Sequence, residues 1–209
     1  MNAYDLAVNN GLVVNSTHSE YVNLGVQDGK VVILSKELLN GKHVIDAQGK
    51  WVLPGVVDTH VHFAFKQGQG DTSVMTEDDY VTGPIASAVG GVTTFVDYAV
   101  CPQNRTLKSY LEERIAMADK GSCIDYSFHS GITNSSPATL KEIKGVVDMG
   151  VPSFKFFTTY RKWGFAVGLG FLLEAFKLLR EYNGVACIHC EQDEIIEFLR
   201  EIYKDETSM

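Results

Sequence analysis

The chain has 209 residues, 45% hydrophobic, 21% charged and 11% aromatic, with a formal net charge of -8 at pH 7. That composition excludes a disordered chain, and no stretch approaches the roughly 20 uninterrupted apolar residues of a membrane helix. The acidic balance argues against nucleic acid as a partner, because phosphates call for clustered Lys and Arg.

The start, Met1-Asn2-Ala3-Tyr4-Asp5, has no basic segment followed by an apolar run. No signal peptide is read there, and the expected compartment is the cytoplasm. Tyr4 to Val8, Leu12 to Val14, Val22 to Val26 and Lys30 to Leu34 are short β-rich runs. Asn9-Asn10-Gly11 and Gln27-Asp28-Gly29-Lys30 punctuate them, and Asp-Gly between apolar runs is a strong hairpin signal. Residues 1–53 therefore predict a small antiparallel β unit.

After Pro54 the rhythm becomes strand, loop, helix, repeated through residues 54–209. Gly55 to His62 is a mostly apolar run, the mark of a strand covered on both faces. Thr76-Glu77-Asp78-Asp79 opens a helix towards Gly90-Gly91, with Thr76 as its N-cap. Val92 to Ala99 is a second strand and Leu107 to Lys120 a second helix; Ile124 to His129 and Pro137 to Met149 repeat the pair. Val151 to Thr158 is a fourth strand, followed by a helix from Leu169 to Tyr182 that ends before Asn183-Gly184. Val185 to Cys190 is a fifth, and a charged helix runs from Asp193 to about Lys204. Alternating strands and helices imply βαβ units around a parallel sheet, either doubly wound or a barrel. No G-x-G-x-x-G follows any strand, which removes the dinucleotide fingerprint.

The four cysteines, Cys101, Cys123, Cys187 and Cys190, are irregularly spaced and suggest no disulfide framework. Cys187 and Cys190 form a C-x-x-C, but on a strand, where positions three apart face opposite ways. They read as core thiols rather than a redox pair.

Polar residues recur at the C-terminal ends of the strands: His60 and His62, Asp97, His129 and His189. Barrel active sites are built from those ends. In His60-Val61-His62 the two imidazoles lie at i and i+2 and can approach one metal ion. Lys155, within Ser153-Phe154-Lys155-Phe156-Phe157-Thr158, is a lone lysine in an apolar strand. It is either an edge or paired ammonium, or an amine freed for chemistry, as a Schiff base or as a carbamate that bridges two metals. His189 adds a further strand end.

Leu53-Pro54-Gly55-Val56-Val57-Asp58-Thr59-His60-Val61-His62 resembles the first barrel strand of the amidohydrolase superfamily. Gly90 to Ala99 and Ser153 to Tyr160 narrow the resemblance to the cyclic amidases, the dihydropyrimidinase and D-hydantoinase group, and Ile188-His189-Cys190-Glu191 is similar to its next strand end. The resemblance implies an α/β fold: the N-terminal part of a TIM-like (β/α)8 barrel, about five strands long, behind a small β-sandwich-type unit. It implies two divalent metal ions, zinc being the expected pair. His60 and His62 would bind the more buried ion, Lys155, carboxylated by carbon dioxide, would bridge the two, and His189 would bind the second. In that group a metal-bridged hydroxide opens a ring amide, and Tyr160 matches the tyrosine that stabilises the oxyanion. The implied substrate is a small cyclic amide or ureide, a dihydropyrimidine or 5-substituted hydantoin, and the implied assembly is a homo-oligomer, a tetramer by family. Phe63 and Phe65 would suit an apolar 5-substituent.

Phe63-Ala64-Phe65 stands where a dihydroorotase carries an arginine, and allantoinases lack the tyrosine at the position of Tyr160. The group's further strand-end histidine and its catalytic aspartate have no counterpart: His18, His43 and His129 precede the right place, and the acids after His189 lie in 191–206. Residues 54–209 fall short of the about 250 that a barrel takes. The expectation is a partial family member with an incomplete binuclear site, inactive or nearly so by itself. A non-catalytic, dihydropyrimidinase-like scaffold is the alternative of another class; a Schiff-base lyase leaves His60 and His62 unexplained.

Overall fold

A computed structural model describes residues 4–67 and 74–204. Met1-Asn2-Ala3 and the acidic pair Asp205-Glu206 lie outside the described residues. The chain divides into two compact units, with the boundary between Gly55 and Val56.

The first unit is a mixed sheet of β1 (Tyr4–Val14), β2 (Ser19–Gln27), β3 (Lys30–Ser35), β4 (Gly41–Asp46) and β5 (Trp51–Val52). The expected hairpin joins β2 to β3: Gln27 faces Lys30, and Asp28 and Gly29 both have positive φ, as a type I′ turn requires. Two expectations fail. The unit is not purely antiparallel, because β4 and β5 run parallel to β1. Nor does Asn9-Asn10-Gly11 end a strand. It is a bulge inside β1, where the register to β2 shifts between Val8 and Gly11. The Asn23 side chain accepts the Asn10 amide at 2.7 Å, so the strand continues without an orphaned donor.

The second unit carries β6 (Val56–Val61), β7 (Lys66–Gln67), β8 (Val74–Met75), α1 (Thr82–Val89), β9 (Val92–Val100), α2 (Leu107–Gly121), β10 (Asp125–Gly131), α3 (Pro137–Asp148), β11 (Ser153–Phe157), α4 (Leu169–Glu181), β12 (Val185–His189) and α5 (Asp193–Ile202). β7 and β8 form a short antiparallel pair of their own. The other five strands make one parallel sheet in the order β12-β11-β10-β9-β6. Sequential order without reversal belongs to a barrel, whereas a doubly wound sheet reverses at a switch point. The sheet is a curled half-barrel.

Alternation along the strands separates its faces. Phe95, Phe128, Phe154 and Phe156 are fully buried, in one cluster with Leu111 of α2, Ile143 and Val146 of α3, and Ala175 of α4. Each such side chain contributes about 1.5–3 kcal/mol by leaving water. The opposite, concave face carries Tyr98, His129 and Lys155, whereas Asp97 falls on the helix-covered face with Phe95, buried against Arg114 and Tyr80, and so is not a site residue. Helix starts follow the capping rules at Thr106 and Ser136, which accept the amides of Ser109 and Thr139. Thr76 is no N-cap: its hydroxyl accepts the Phe65 amide, and the Asp79 carboxylate takes the amides of Val81 and Thr82 instead. All four thiols are free; Cys187 is half-buried and Cys190 exposed, so the core-thiol reading of that pair fails for Cys190. Among the described residues no helix is long and apolar enough to cross a membrane.

Candidate metal centre

His60 is the penultimate residue of β6, and His62 directly follows its last residue, Val61. Their rings stand 5.3 Å apart, edge to face, and both lie against Tyr98 of β9, at 4.6 and 5.1 Å between centroids. The Tyr98 hydroxyl reaches His60 Nδ1 at 3.5 Å. Burial, above all, pushes the His62 imidazole below its ordinary pKa, with the His60 and Lys155 charges helping and Asp97 opposing. A neutral imidazole is the form a metal binds.

Lys155 lies on β11, between β10 and β12, so it is not an edge residue. Its Nζ sits 5.4 Å from the Tyr98 ring centre and 5.3 Å from that of Phe157. Among the described residues no carboxylate lies within ion-pair distance of it. Aromatic faces offset part of the cost of its half-burial, and the paired-ammonium reading does not hold.

His189 ends β12 as the register partner of Phe157 on β11, with its ring 6.2 Å from that of Phe157. Its Nε2 lies 2.6 Å from the Glu191 carboxylate and 3.4 Å from the Tyr160 hydroxyl. Tyr160 has φ 62°, in the left-handed region, and stacks on Trp163 at 4.9 Å. Buried Asp193 holds this turn from both sides, accepting the Thr159 hydroxyl at 3.1 Å and the Arg161 amide at 3.2 Å. The structure thus brings His60, His62 and Lys155 around one ring, and places His189 with Tyr160 in a neighbouring group. Among the described residues no three His, Cys, Asp or Glu side chains form a metal-holding cluster.

Residues 51–209 match the family model described as Amidohydrolase family. The chain belongs to the amidohydrolase family. It is 32% identical over 194 residues to a D-hydantoinase of Geobacillus stearothermophilus, covering 92% of this chain and 40% of that protein. It is 34% identical over 198 residues to a dihydropyrimidinase of Rattus norvegicus, covering 91% and 37%. A solved D-hydantoinase structure superposes with a TM-score of 0.88 at 27% identity, over 97% of this chain and 43% of that one. This amidohydrolase-family chain therefore spans about 40% of the length of the curated relatives it matches.

One residue changes its reading, and one joins the site. Phe63 is not available to a ligand: it is buried against Phe95 and Tyr80, because the turn after His62 folds its side chain into the core. Phe65 stays at the site, 5.2 Å from the His62 ring. Tyr98, which connects His60, His62, Lys155 and His129, was missed as a site residue; its position one past Asp97 at a strand end was the available signal.

Proposed function

We propose that this chain supplies part of a divalent-metal centre that hydrolyses a cyclic amide C–N bond, in a dihydropyrimidine or 5-substituted hydantoin ring. The observation that carries the reading is the Lys155 amine: on an interior strand, without a carboxylate partner among the described residues, sharing the Tyr98 ring with His60 and His62. His60 and His62 would hold one ion, Lys155 as a carbamate would bridge, and His189 would serve the second, with Glu191 turned away to release Nε2.

Carbamate formation balances simply. The Lys155 nitrogen lone pair would attack carbon dioxide, the N–C bond forms, one C–O π pair moves to oxygen, and the nitrogen gives its extra proton to solvent water or bicarbonate. The product is anionic, and the rings of Tyr98 and Phe157 that favour an ammonium disfavour an anion. The adduct therefore needs cations to persist. When bound, a metal pair supplies Lewis acidity, lowering the pKa of water and polarising the amide carbonyl. Tyr160 is left to hydrogen-bond the oxyanion that forms on that carbonyl. The amidase relatives' names support ring hydrolysis, and a homo-oligomer is the accompanying expectation.

Cobalt titration of the chain in bicarbonate, followed by its visible spectrum, tests the assignment. His60→Asn and Lys155→Ala are expected to weaken binding at least about tenfold, and Tyr160→Phe to leave it unchanged. Equal affinity in all of them would remove the metal centre and favour the scaffold reading.

A further inference from the structure

The ladder between β6 and β9 is broken where the site begins. Asp58 pairs with Phe95 and Val61 with Asp97, so Thr59 and His60 share a bulge with no pairing partner. Backbone groups released by a bulge must be taken up elsewhere. The Asp58 carboxylate accepts the His60 amide at 3.0 Å. His129, buried on β10, reaches across Tyr98 so that its Nε2 bonds the Thr59 carbonyl at 3.0 Å, while its Nδ1 lies 2.6 Å from the Ser153 hydroxyl. With Nε2–H donating to a carbonyl, Nδ1 accepts from Ser153, which fixes the tautomer and the ring.

On the other side of the pair, Arg114 of α2 is buried with Asp97, at 2.9 Å. Its guanidinium donates to two successive carbonyls, Phe63 at 2.5 Å and Ala64 at 2.9 Å. The guanidinium meets the two carbonyls with two separate nitrogens in a fixed plane, a spacing that the single nitrogen of an ammonium does not offer.

We propose that His129 and Arg114 are positioning residues that bracket His60-Val61-His62, fixing the backbone on either side and so the separation of the two imidazoles. The proposal takes from the functional reading only that the two imidazoles act as a pair. His129 and Arg114 touch neither ring nitrogen of that pair in the described hydrogen bonds; they act through the Thr59, Phe63 and Ala64 carbonyls.

The test compares the chain with His129→Phe, which keeps a ring stacked on Tyr98, and Arg114→Lys, which keeps a charge for Asp97. Residue-resolved amide hydrogen exchange of the metal-free proteins is the first readout. The bracket predicts exchange about tenfold faster or more at His60, Ala64 and Phe65 in the variants, with the amides of β10 and β11 unchanged. Cobalt affinity is the second, expected to fall about 10- to 100-fold. Unchanged exchange at 60–65, or faster exchange with undiminished cobalt affinity, overturns the proposal. Acceleration throughout the sheet in both variants overturns it in favour of a general stabilising role. Local acceleration in chains that bind no cobalt, the parent included, keeps the bracket and refutes the metal reading instead.

Discussion

Tyr160 shows how a single side chain is held against its own preference. A tyrosine at positive φ costs of order 1–3 kcal/mol, so its neighbours must over-determine it. Asp193 does so through the Arg161 amide above all, which holds its carboxyl below the ordinary carboxylate range, helped by the Thr159 hydroxyl and the Arg161 guanidinium and opposed by burial. A lowered folded-state pKa means that the anchoring is complete above the unfolded carboxylate value. It is lost as pH falls through the folded one, below about 4. Trp163 stacks on Tyr160. Its fluorescence is therefore expected to hold steady from neutrality to about pH 5 and change below about pH 4, while Asp193→Asn shows the acid spectrum already at pH 7. An identical titration in the variant would show that Asp193 does not hold the turn. At this scale the sequence was informative by residue type: an H-x-H and a lone lysine in a strand are costly or unusual without a purpose. Its signal for Tyr98 was only a position near a strand end, because the contact with His60 joins residues 38 apart and depends on which strands become neighbours.

The elements themselves followed their local signals closely, and the failures have physical reasons. Thr76 looked like a cap because a hydroxyl stood before an acidic turn, but the backbone needed that hydroxyl at Phe65, and Asp79 lay nearer the helix start. Asn9-Asn10-Gly11 looked like a turn because a bulge and a turn demand the same residues. Glycines separate local preference from packing. A Cβ on Gly83 of α1 would stand 2.3 Å from the Phe63 ring, whereas one on Gly145 of α3 meets nothing within 4 Å. Gly145→Ala is therefore expected to raise stability by about 0.5–1 kcal/mol, through helix propensity alone. Gly83→Ala is expected to lower it by about 1–3 kcal/mol, since the Phe63 ring must leave its core position. Urea melts measure both, and stabilisation by both would mean that Phe63 has room to move.

At the scale of the molecule, strand order decides between architectures that share one rhythm. The alternation of strands and helices was legible as a rhythm; the unreversed order β12-β11-β10-β9-β6 was legible only through the resemblance to a barrel family, because a rhythm does not say which strands pair. The sheet leaves β6 and β12 as its outer strands, with Val56, Val57, Val185 and Ile188 exposed, and α5 exposes Ile195, Phe198 and Ile202. Unpaired parallel edges beside exposed apolar side chains favour association. Sedimentation velocity of this chain is expected to show concentration-dependent self-association, and a monodisperse monomer at all concentrations would contradict it. The central proposal concerns the concave face of that sheet, where Lys155 shares the Tyr98 ring with two imidazoles and is proposed to take up carbon dioxide in the presence of metal. Carbon-13 NMR of the chain in labelled bicarbonate measures it most directly. A carbamate resonance that appears on adding zinc, and is absent from Lys155→Ala, is the predicted result; no such resonance with or without zinc would contradict the account.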